Sequence, residues 1–303
     1  MKRFIIHSSF FFIVSFVLAL IPDIIITNKI KHFAYNDYSV WDKILSGKMD
    51  NDLLIIGSSR AFHHYNPIIL DSILNTNCYN LGRDGKNLDI SIFIYNLYIK
   101  HNPKPKTILC DIFYGSMNKS NLYAREQFYP YLFNKEIYNN IKENQQLSMI
   151  DKYVPLIKYR GILKDVIKHS LIKDTTYKGY YGCDISYNKN NEDIPNTIPY
   201  AHDPTVFKMI EKWLQQCQED SVNVIFIHSP IYIEATNKIE DTAAMWTMYR
   251  NIANKYKIPI LDYTRDSICF DTNYFYGALH LNRKGSELFT QRLAYELESL
   301  GYK

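Results

Sequence analysis

Glycine, paired cysteines and clustered charge are all scarce in this chain of 303 residues. Only 11 glycines are present, and no Gly-x-Gly-x-x-Gly or Gly-Lys-Ser/Thr sequence occurs, which argues against the phosphate-binding loops that those patterns build. The five cysteines follow no Cys-x-x-Cys or Cys/His spacing, so we expect free buried thiols rather than a structural zinc site. The net charge is +4 with basic residues scattered among acidic ones, so we expect no nucleic-acid partner.

The N-terminal segment is the longest stretch without charge. No Asp, Glu, Lys or Arg occurs over residues 4–22, a run of 19 residues, close to the roughly 20 that cross a bilayer as a helix. We predict an uncleaved signal anchor, and hence a transmembrane helix, over 1–27, followed by a juxtamembrane stem over 28–50. A cleaved signal peptide and a buried core helix are the alternatives. An anchor of this kind usually exports the chain beyond it, so we expect residues 51–303 on the outer side of the cytoplasmic membrane.

Short apolar runs alternate with amphipathic stretches from residue 51 onwards. The apolar runs predict five strands, at 53–56, 77–81, 107–113, 222–228 and 258–262. Helical spacing of apolar residues predicts helices at 67–74, 87–101, about 205–220, 236–256 and 284–300. This alternation indicates an α/β domain over 51–303 whose parallel sheet is covered on both faces.

Residues 114–203 interrupt that rhythm, since they are rich in Tyr, Asn and Lys and contain no strong strand pattern. Ligands bind at the carboxyl end of the strands in open α/β folds. We therefore predict that this insertion covers that end of the sheet as a lid or as part of a substrate groove.

Two serines follow the first predicted strand at the point where a helix begins. Ser59 could act as a nucleophile there, or Ser58 and Ser59 could simply cap the helix. A nucleophilic serine needs a base from elsewhere in the chain. His280 is the best candidate, because it lies between the fifth strand and the last helix, from where a loop can reach back to the first strand.

These residues belong to three blocks that resemble the SGNH (GDSL-type) hydrolases. The blocks are Gly57-Ser58-Ser59, Asn80-Leu81-Gly82-Arg83-Asp84-Gly85 and Gly277-Ala278-Leu279-His280. The resemblance covers roughly 50–113 and 222–301. It implies a flavodoxin-like three-layer α/β/α fold and ester hydrolysis or acyl transfer without a metal or organic cofactor.

The resemblance also implies roles for individual residues. Ser59 would be the nucleophile and His280 the base. The backbone N–H groups of Ser59 and Gly85, with Gly82 as the lesser alternative to Gly85, would form the oxyanion hole. Asn118 is a candidate for its side-chain donor, although the family's Gly-x-Asn-Asp block is not visible.

One departure from the family concerns the partner of the histidine. The family has Asp three residues before the catalytic His, and this chain has Gly277 there. The third member of a triad orients the imidazole and stabilises its charged form. Its loss leaves three alternatives: a Ser–His dyad, a substitute such as Asp271 or a backbone carbonyl, or an inactive site.

The Gly-Ser-Ser form also resembles membrane-anchored relatives that modify cell-surface polymers beside membrane-bound O-acyltransferases. We therefore expect an exported serine esterase or O-acyltransferase that acts on acyl groups, chiefly acetyl, of a cell-envelope polysaccharide. The alternative is a non-catalytic module that binds glycan or serves as a scaffold for a membrane-bound O-acyltransferase.

Four polar residues close to these blocks allow a functional and a structural interpretation. Arg60 could bind an anionic or sugar ligand, or it could pair with an acid at the sheet edge. His63 and His64 are adjacent, so we expect at most one to face the site and interpret both as surface or packing residues. We expect Asp84 to orient the turn that contains it.

Overall fold

The computed structural model describes residues 1–32, 38–120, 125–145, 148–164, 168, 176–188, 194 and 197–302. The chain forms two compact units. One consists of Met1–Asp42 with Leu122–Thr175, and the other of Lys43–Asn121 with Thr176–Lys303. The segment predicted as a single insertion, 114–203, is thus divided between the two units.

The second unit is built on a parallel sheet of five strands in the order β2-β1-β3-β4-β5. The strands are β1 (Leu53–Ile56), β2 (Cys78–Asn80), β3 (Thr107–Asp111), β4 (Asn223–His228) and β5 (Ile260–Asp262). Each lies within or at one of the five predicted apolar runs, and the predicted five-stranded parallel sheet is confirmed. A two-stranded antiparallel sheet follows, with β6 at Phe275–Gly277 and β7 at His280–Leu281.

Helices cover both faces of the sheet, which confirms the predicted three-layer α/β/α fold. In chain order the helices of both units are α1 (Lys2–Lys31), α2 (Val40–Leu45), α3 (Ser59–His64), α4 (Pro67–Leu74), α5 (Leu88–His101), α6 (Lys135–Gln145), α7 (Met149–Tyr153), α8 (Pro204–Glu219), α9 (Ile233–Thr236), α10 (Thr242–Tyr256) and α11 (Arg283–Ser299). Helix α11 packs on α3 and α4, whereas α8 packs on α5 and α10.

The core follows from the two-residue period of the strands, whose successive side chains point to opposite faces. Leu53 and Ile55 of β1 join Leu109 and Ile225 of the neighbouring strands in a cluster with Leu70, Leu74, Phe289, Leu293 and Leu297 of α4 and α11. Every residue of β1 and of β3 is buried, as expected for central parallel strands covered on both sides.

Two glycines let α3 lie close to the end of β1. Gly57 has φ +146°, and a Cβ atom there would lie 2.9 Å from the Ala61 Cβ and 3.1 Å from the Asp111 Cβ. A Cβ on Gly82, after β2, would lie 2.6 Å from both the Ala61 Cβ and the Phe62 N. Any larger side chain at either position would displace α3, which carries Ser59 as its first residue.

The first unit contains α1, α6 and α7 together with two 3-10 helices, Arg125–Tyr131 and Ile157–Tyr159. Helix α1 is long and apolar enough to cross a membrane, since its 18-residue window has a mean hydropathy of 2.5 and only 6% of that window is buried. The predicted apolar N-terminal helix is therefore present. A signal sequence near the N-terminus passes the same test of length and composition.

Candidate active site

Ser59 and His280, which lie 221 residues apart in the chain, form a direct hydrogen bond. The Ser59 Oγ lies 2.7 Å from the His280 Nε2. Both residues are half-buried, so the pair is largely enclosed by protein and retains some exposed surface. A serine hydroxyl at this distance from a histidine nitrogen has the geometry of a nucleophile with its general base.

The local sequence explains why Ser59, rather than its neighbour, faces the histidine. Ser58 is the N-cap of α3, and its Oγ accepts a hydrogen bond from the Arg60 N–H at 3.4 Å. Capping therefore occupies Ser58 and leaves the Ser59 hydroxyl directed towards His280. Of the two interpretations of this serine pair, helix capping applies to Ser58 and contact with the histidine applies to Ser59.

His280 begins the two-residue strand β7, and its ring is held against a neighbouring aromatic side chain. The Tyr276 ring on β6 stacks on the imidazole with a centroid distance of 5.3 Å and an interplanar angle of 12°. Gly277 lies opposite His280 in the β6–β7 pair. Burial, and after it the charge of His63, lowers the pKa of His280 to about 4. The imidazole is therefore neutral at pH 7 and can accept a proton.

His63 lies on one side of His280, with a centroid distance of 5.8 Å between the rings. Its Nδ1 is 3.0 Å from the Tyr181 carbonyl oxygen, and its Nε2 is 3.2 Å from the Asp84 Oδ1. Both ring nitrogens of His63 therefore face a protein oxygen. Burial raises the pKa of Asp84, but the hydrogen bond and charge of His63 outweigh it and lower the pKa overall.

His64 lies on another side of His280, with a centroid distance of 6.3 Å. Its Nε2 accepts the Leu281 N–H at 3.0 Å, so the proton resides on Nδ1, which donates to the Ser229 Oγ at 2.9 Å. The Ser229 hydroxyl donates in turn to the Asp111 Oδ2 at 2.6 Å. Burial, with a further contribution from the Arg60 charge, lowers the pKa of His64, which agrees with a neutral ring.

Asp111 ends β3 and is fully buried at the centre of the hydrogen-bond network that it forms with Ser229 and His64. It also accepts the Tyr65 hydroxyl at 2.6 Å and pairs with Arg60, whose Nε lies 3.4 Å from the Asp111 Oδ1. Burial raises the pKa of Asp111, while Arg60, Ser229 and Tyr65 act in the opposite direction. The guanidinium of Arg60 is only 2% exposed and also donates to the Ser229 carbonyl at 2.8 Å. Of the two interpretations of Arg60, the structure supports pairing with an acid at the sheet edge.

The histidine pair corrects one expectation. Both His63 and His64 are buried, at 5% and 0% exposure, and both rings lie beside His280. Of the two expected alternatives, surface or packing positions, packing is correct for both residues, whereas the expectation that at most one ring faces the site is wrong. Every residue of α3 from Arg60 to His64 is buried. His63 and His64 point in different directions from the helix, and protein surrounds both side chains.

The remaining predicted site residues have different surroundings. Within the described part of the chain the exposed Gly85, at φ +64°, donates its N–H to no protein acceptor, whereas the Gly82 N–H is engaged by the Asn80 Oδ1 at 2.9 Å. Asn118 lies in a turn and donates its backbone N–H to the Gly115 carbonyl. The Asp271 carboxylate caps the 3-10 helix Thr272–Tyr274 by accepting the Asn273 N–H at 2.9 Å.

Sequence reasoning missed Asp111, Ser229 and Tyr65. Asp111 could have been found from its position in the sequence, because it is a charged residue at the end of a buried central strand and a buried charge needs a partner. Ser229 directly follows β4 and therefore lies at the same edge of the sheet as Asp111 and Gly57.

Within the described ranges no group of three or more His, Cys, Asp or Glu residues is arranged to hold a metal ion. All five cysteines are free and buried, as expected from their spacing.

Comparison with known proteins gives only distant likenesses. No family model and no curated protein matches the sequence. Three similar solved structures are a lipolytic protein of the G-D-S-L family from Desulfitobacterium hafniense (12% identity, 81% of this chain and 99% of that one, TM-score 0.39), an acylhydrolase from Bacteroides fragilis (12%, 82% and 88%, 0.38) and a possible lipase from Chitinophaga pinensis (13%, 84% and 100%, 0.41). All three names are provisional.

Because all three TM-scores are below 0.5, these likenesses carry no argument about function, and the function proposed for this chain rests on its own residues.

Proposed function

We propose that this protein is an exported, membrane-anchored serine esterase or O-acyltransferase of the SGNH type. Its substrates would be acyl groups, chiefly acetyl, on a cell-envelope polysaccharide. The observation that carries the proposal is the 2.7 Å contact between the Ser59 Oγ and the His280 Nε2 at the carboxyl edge of the sheet. The SGNH resemblance of the three sequence blocks supports the same chemistry.

The proposed reaction passes through an acyl-enzyme. The Ser59 Oγ attacks the ester carbonyl while its proton moves to the His280 Nε2. The backbone N–H groups of Ser59 and Gly85 stabilise the oxyanion, and the leaving alcohol takes the proton back from His280. Water or a sugar hydroxyl then attacks the acyl-Ser59 ester, with His280 again as base, and releases an acid or a new ester.

The environment of His280 has opposing consequences for this reaction. A pKa of about 4 keeps the imidazole neutral, and therefore competent as a base, far into the acid range. The same burial disfavours the imidazolium that forms in the transition state. The Asp84 carboxylate acts in the opposite direction, since its charge raises the pKa of His280. Asp84 is thus our candidate for the electrostatic role of the missing carboxylate at position 277.

The orienting role of the missing carboxylate falls, in this proposal, to the network of Asp111, Ser229 and His64. Because His64 binds the Leu281 N–H and β7 contains only His280 and Leu281, the network holds the main chain next to the base. The predicted substitute Asp271 is engaged as a helix cap, so we assign it no part in the reaction.

The location of the enzyme follows from α1 in its proposed role as an uncleaved anchor. Basic residues flank the apolar run on both sides, with Lys2 and Arg3 before it and Lys29 and Lys31 after it. We propose that the catalytic unit lies outside the cytoplasmic membrane, within reach of an envelope polysaccharide and of a membrane-bound O-acyltransferase.

Turnover of p-nitrophenyl acetate tests the proposal. We expect Ser59→Ala and His280→Ala each to lose at least about 100-fold in kcat/KM, since general-base catalysis alone contributes that much. Ser58→Ala is the matched control, because it removes the adjacent hydroxyl and a cap while leaving the dyad in place. Background turnover by the wild type, equal to that of both variants, would overturn the proposal in favour of a glycan-binding or scaffold module.

A further inference from the structure

Helix α1 has two different faces around the end of its uncharged run. Ile21, Ile24 and Ile25 are more than half exposed, while Asp23 and Ile30 on the opposite face are buried. One side of the helix therefore remains suited to lipid as far as Ile25. A span from residue 4 to residue 25 would cover about 33 Å, which matches the hydrocarbon thickness of a bilayer.

The buried face is held by a segment of the same unit, 156–159. The Leu156 N–H donates to the Asp23 Oδ1 at 2.8 Å, and the Lys158 Nζ donates to the Asp23 Oδ2 at 2.9 Å. One turn further along α1, the hydroxyls of Thr27 and Tyr159 are hydrogen-bonded. The Asp23 carboxylate is thus buried and paired with the Lys158 ammonium, while Ile24 and Ile25 at the same height along the helix axis expose apolar surface.

This geometry places segment 156–159 at the membrane surface if α1 crosses the bilayer. Lipid that covers Ile24 and Ile25 reaches the same height along the helix as Asp23, and therefore as its partner Lys158. Tyr153 precedes Leu156 by three residues, so its backbone lies within about 11 Å of that level.

Exposed apolar side chains lie shortly before this segment in the chain, at 149–153, and on Phe133, whose ring contacts Tyr153. Phe133, Met149, Ile150 and Tyr153, here called the interfacial patch, are each more than half exposed. The rings of Phe133 and Tyr153 lie 5.8 Å apart. The Lys152 Nζ lies 5.5 Å and 5.4 Å from the centroids of the same two rings. Aromatic rings combined with lysine are typical of the headgroup level of a membrane, where apolar rings and charged ends are both accommodated.

We propose that the interfacial patch inserts into the headgroup region of the phospholipid bilayer that α1 crosses. A bilayer is the occupant that the structure favours, because the patch and the lipid-facing helix belong to one unit, and segment 156–159, which begins three residues after Tyr153, contacts that helix at Asp23. The inference rests on the anchor part of the proposed function and is independent of the esterase chemistry. It makes the first unit a platform that lies on the membrane.

Lipid quenching of a fluorophore in the full chain tests this inference. Tyr153→Cys and, separately, Ile150→Cys carry an environment-sensitive bimane label, since the five native cysteines are buried. The protein is reconstituted into phosphatidylcholine–phosphatidylglycerol vesicles with or without a lipid that carries a nitroxide near its headgroup. Tyr295→Cys, on the exposed face of α11, is the matched control, and Ile25→Cys, at the end of the apolar span of α1, is the positive control.

We expect both patch positions to lose at least half of their fluorescence, as Ile25→Cys does, while Tyr295→Cys is unchanged. Quenching at the patch no greater than at Tyr295→Cys, in vesicles that retain the protein, would overturn the inference and leave the anchor intact. Failure of the protein to float with vesicles would overturn the anchor and the inference together. Neither result bears on Ser59 turnover, which is measured separately.

Discussion

His280 lies between two histidine–carboxylate networks that differ in burial and in the way they reach it. On one side His63 pairs with Asp84, whose side chain is 34% exposed. On the other side His64 leads through Ser229 to Asp111, which is fully buried. The first network acts on His280 through charge, since His63 and Asp84 both shift its pKa. The second acts through position, because His64 binds the main chain at Leu281, and its Arg60 adds a smaller charge effect that lowers the pKa of His280.

The comparison shows how two groups can divide the functions that one carboxylate performs in a triad. A triad carboxylate both orients the base and stabilises its charged form. With Gly277 opposite His280, orientation and charge stabilisation are assigned here to residues on different strands and turns. Each function can therefore be removed without the other.

Removal of the buried carboxylate is expected to have the largest effect. Asp111→Asn leaves the buried Arg60 guanidinium without its anionic partner, and breaking a buried pair in this way costs about 3–5 kcal/mol. We expect a correspondingly lower free energy of urea unfolding together with loss of turnover. Asp84→Asn, at the half-exposed carboxylate, should cost about 1 kcal/mol or less. Equal losses of stability in the two variants would remove the distinction between the networks.

Loss of the imidazole in the positioning network should affect rate more than binding. His64→Ala removes the acceptor for the Leu281 N–H and frees β7, so we expect kcat for p-nitrophenyl acetate to fall about 10–100-fold with little change in KM. His64→Gln can accept from Leu281 and donate to Ser229, and it should restore much of the rate. A merely structural role would predict equal losses of thermal stability in both variants and no rescue of kcat.

Changes in the charged network should be smaller and should shift the pH profile in opposite directions. The acid limb of kcat/KM reports the base in the free enzyme, so in the wild type it should lie near pH 4. His63→Gln removes a charge that lowers the pKa of His280, and the limb should move to higher pH. Asp84→Asn removes a charge that raises this pKa, and the limb should move to lower pH. Shifts in the same direction would contradict the assignment.

The sequence was sufficient to predict the elements that depend on local pattern. The apolar runs before Gly57 and before Asp111 predicted buried strands, and the register of the sheet brings their ends together. The position of a serine after the first strand and of a histidine before the last helix then predicted their contact, because the carboxyl ends of parallel strands share one edge.

The supporting networks could not be predicted, because their partners are chosen by tertiary packing. Asp111 and Ser229 are 118 residues apart in the chain, and nothing in either local sequence indicates the other. The expectation that at most one of His63 and His64 faces the site rested on their adjacency, whereas the two glycines at 57 and 82 allow α3 to be enclosed. Helix α3 has only six residues, which is too short to show a helical period of apolar residues in the sequence. Its burial, and its close packing against Gly57 and Gly82, therefore could not be predicted from a periodic pattern.

Mass spectrometry after reaction with a fluorophosphonate tests the central claim most directly. The probe reacts with a serine only where a base activates it, so the labelled peptide identifies the nucleophile without knowledge of the substrate. The account predicts one adduct, located on Ser59, that disappears in Ser59→Ala, slows at least about 100-fold in His280→Ala and persists in Ser58→Ala. An adduct on Ser58 or on any other residue, or an unlabelled wild type, would contradict it.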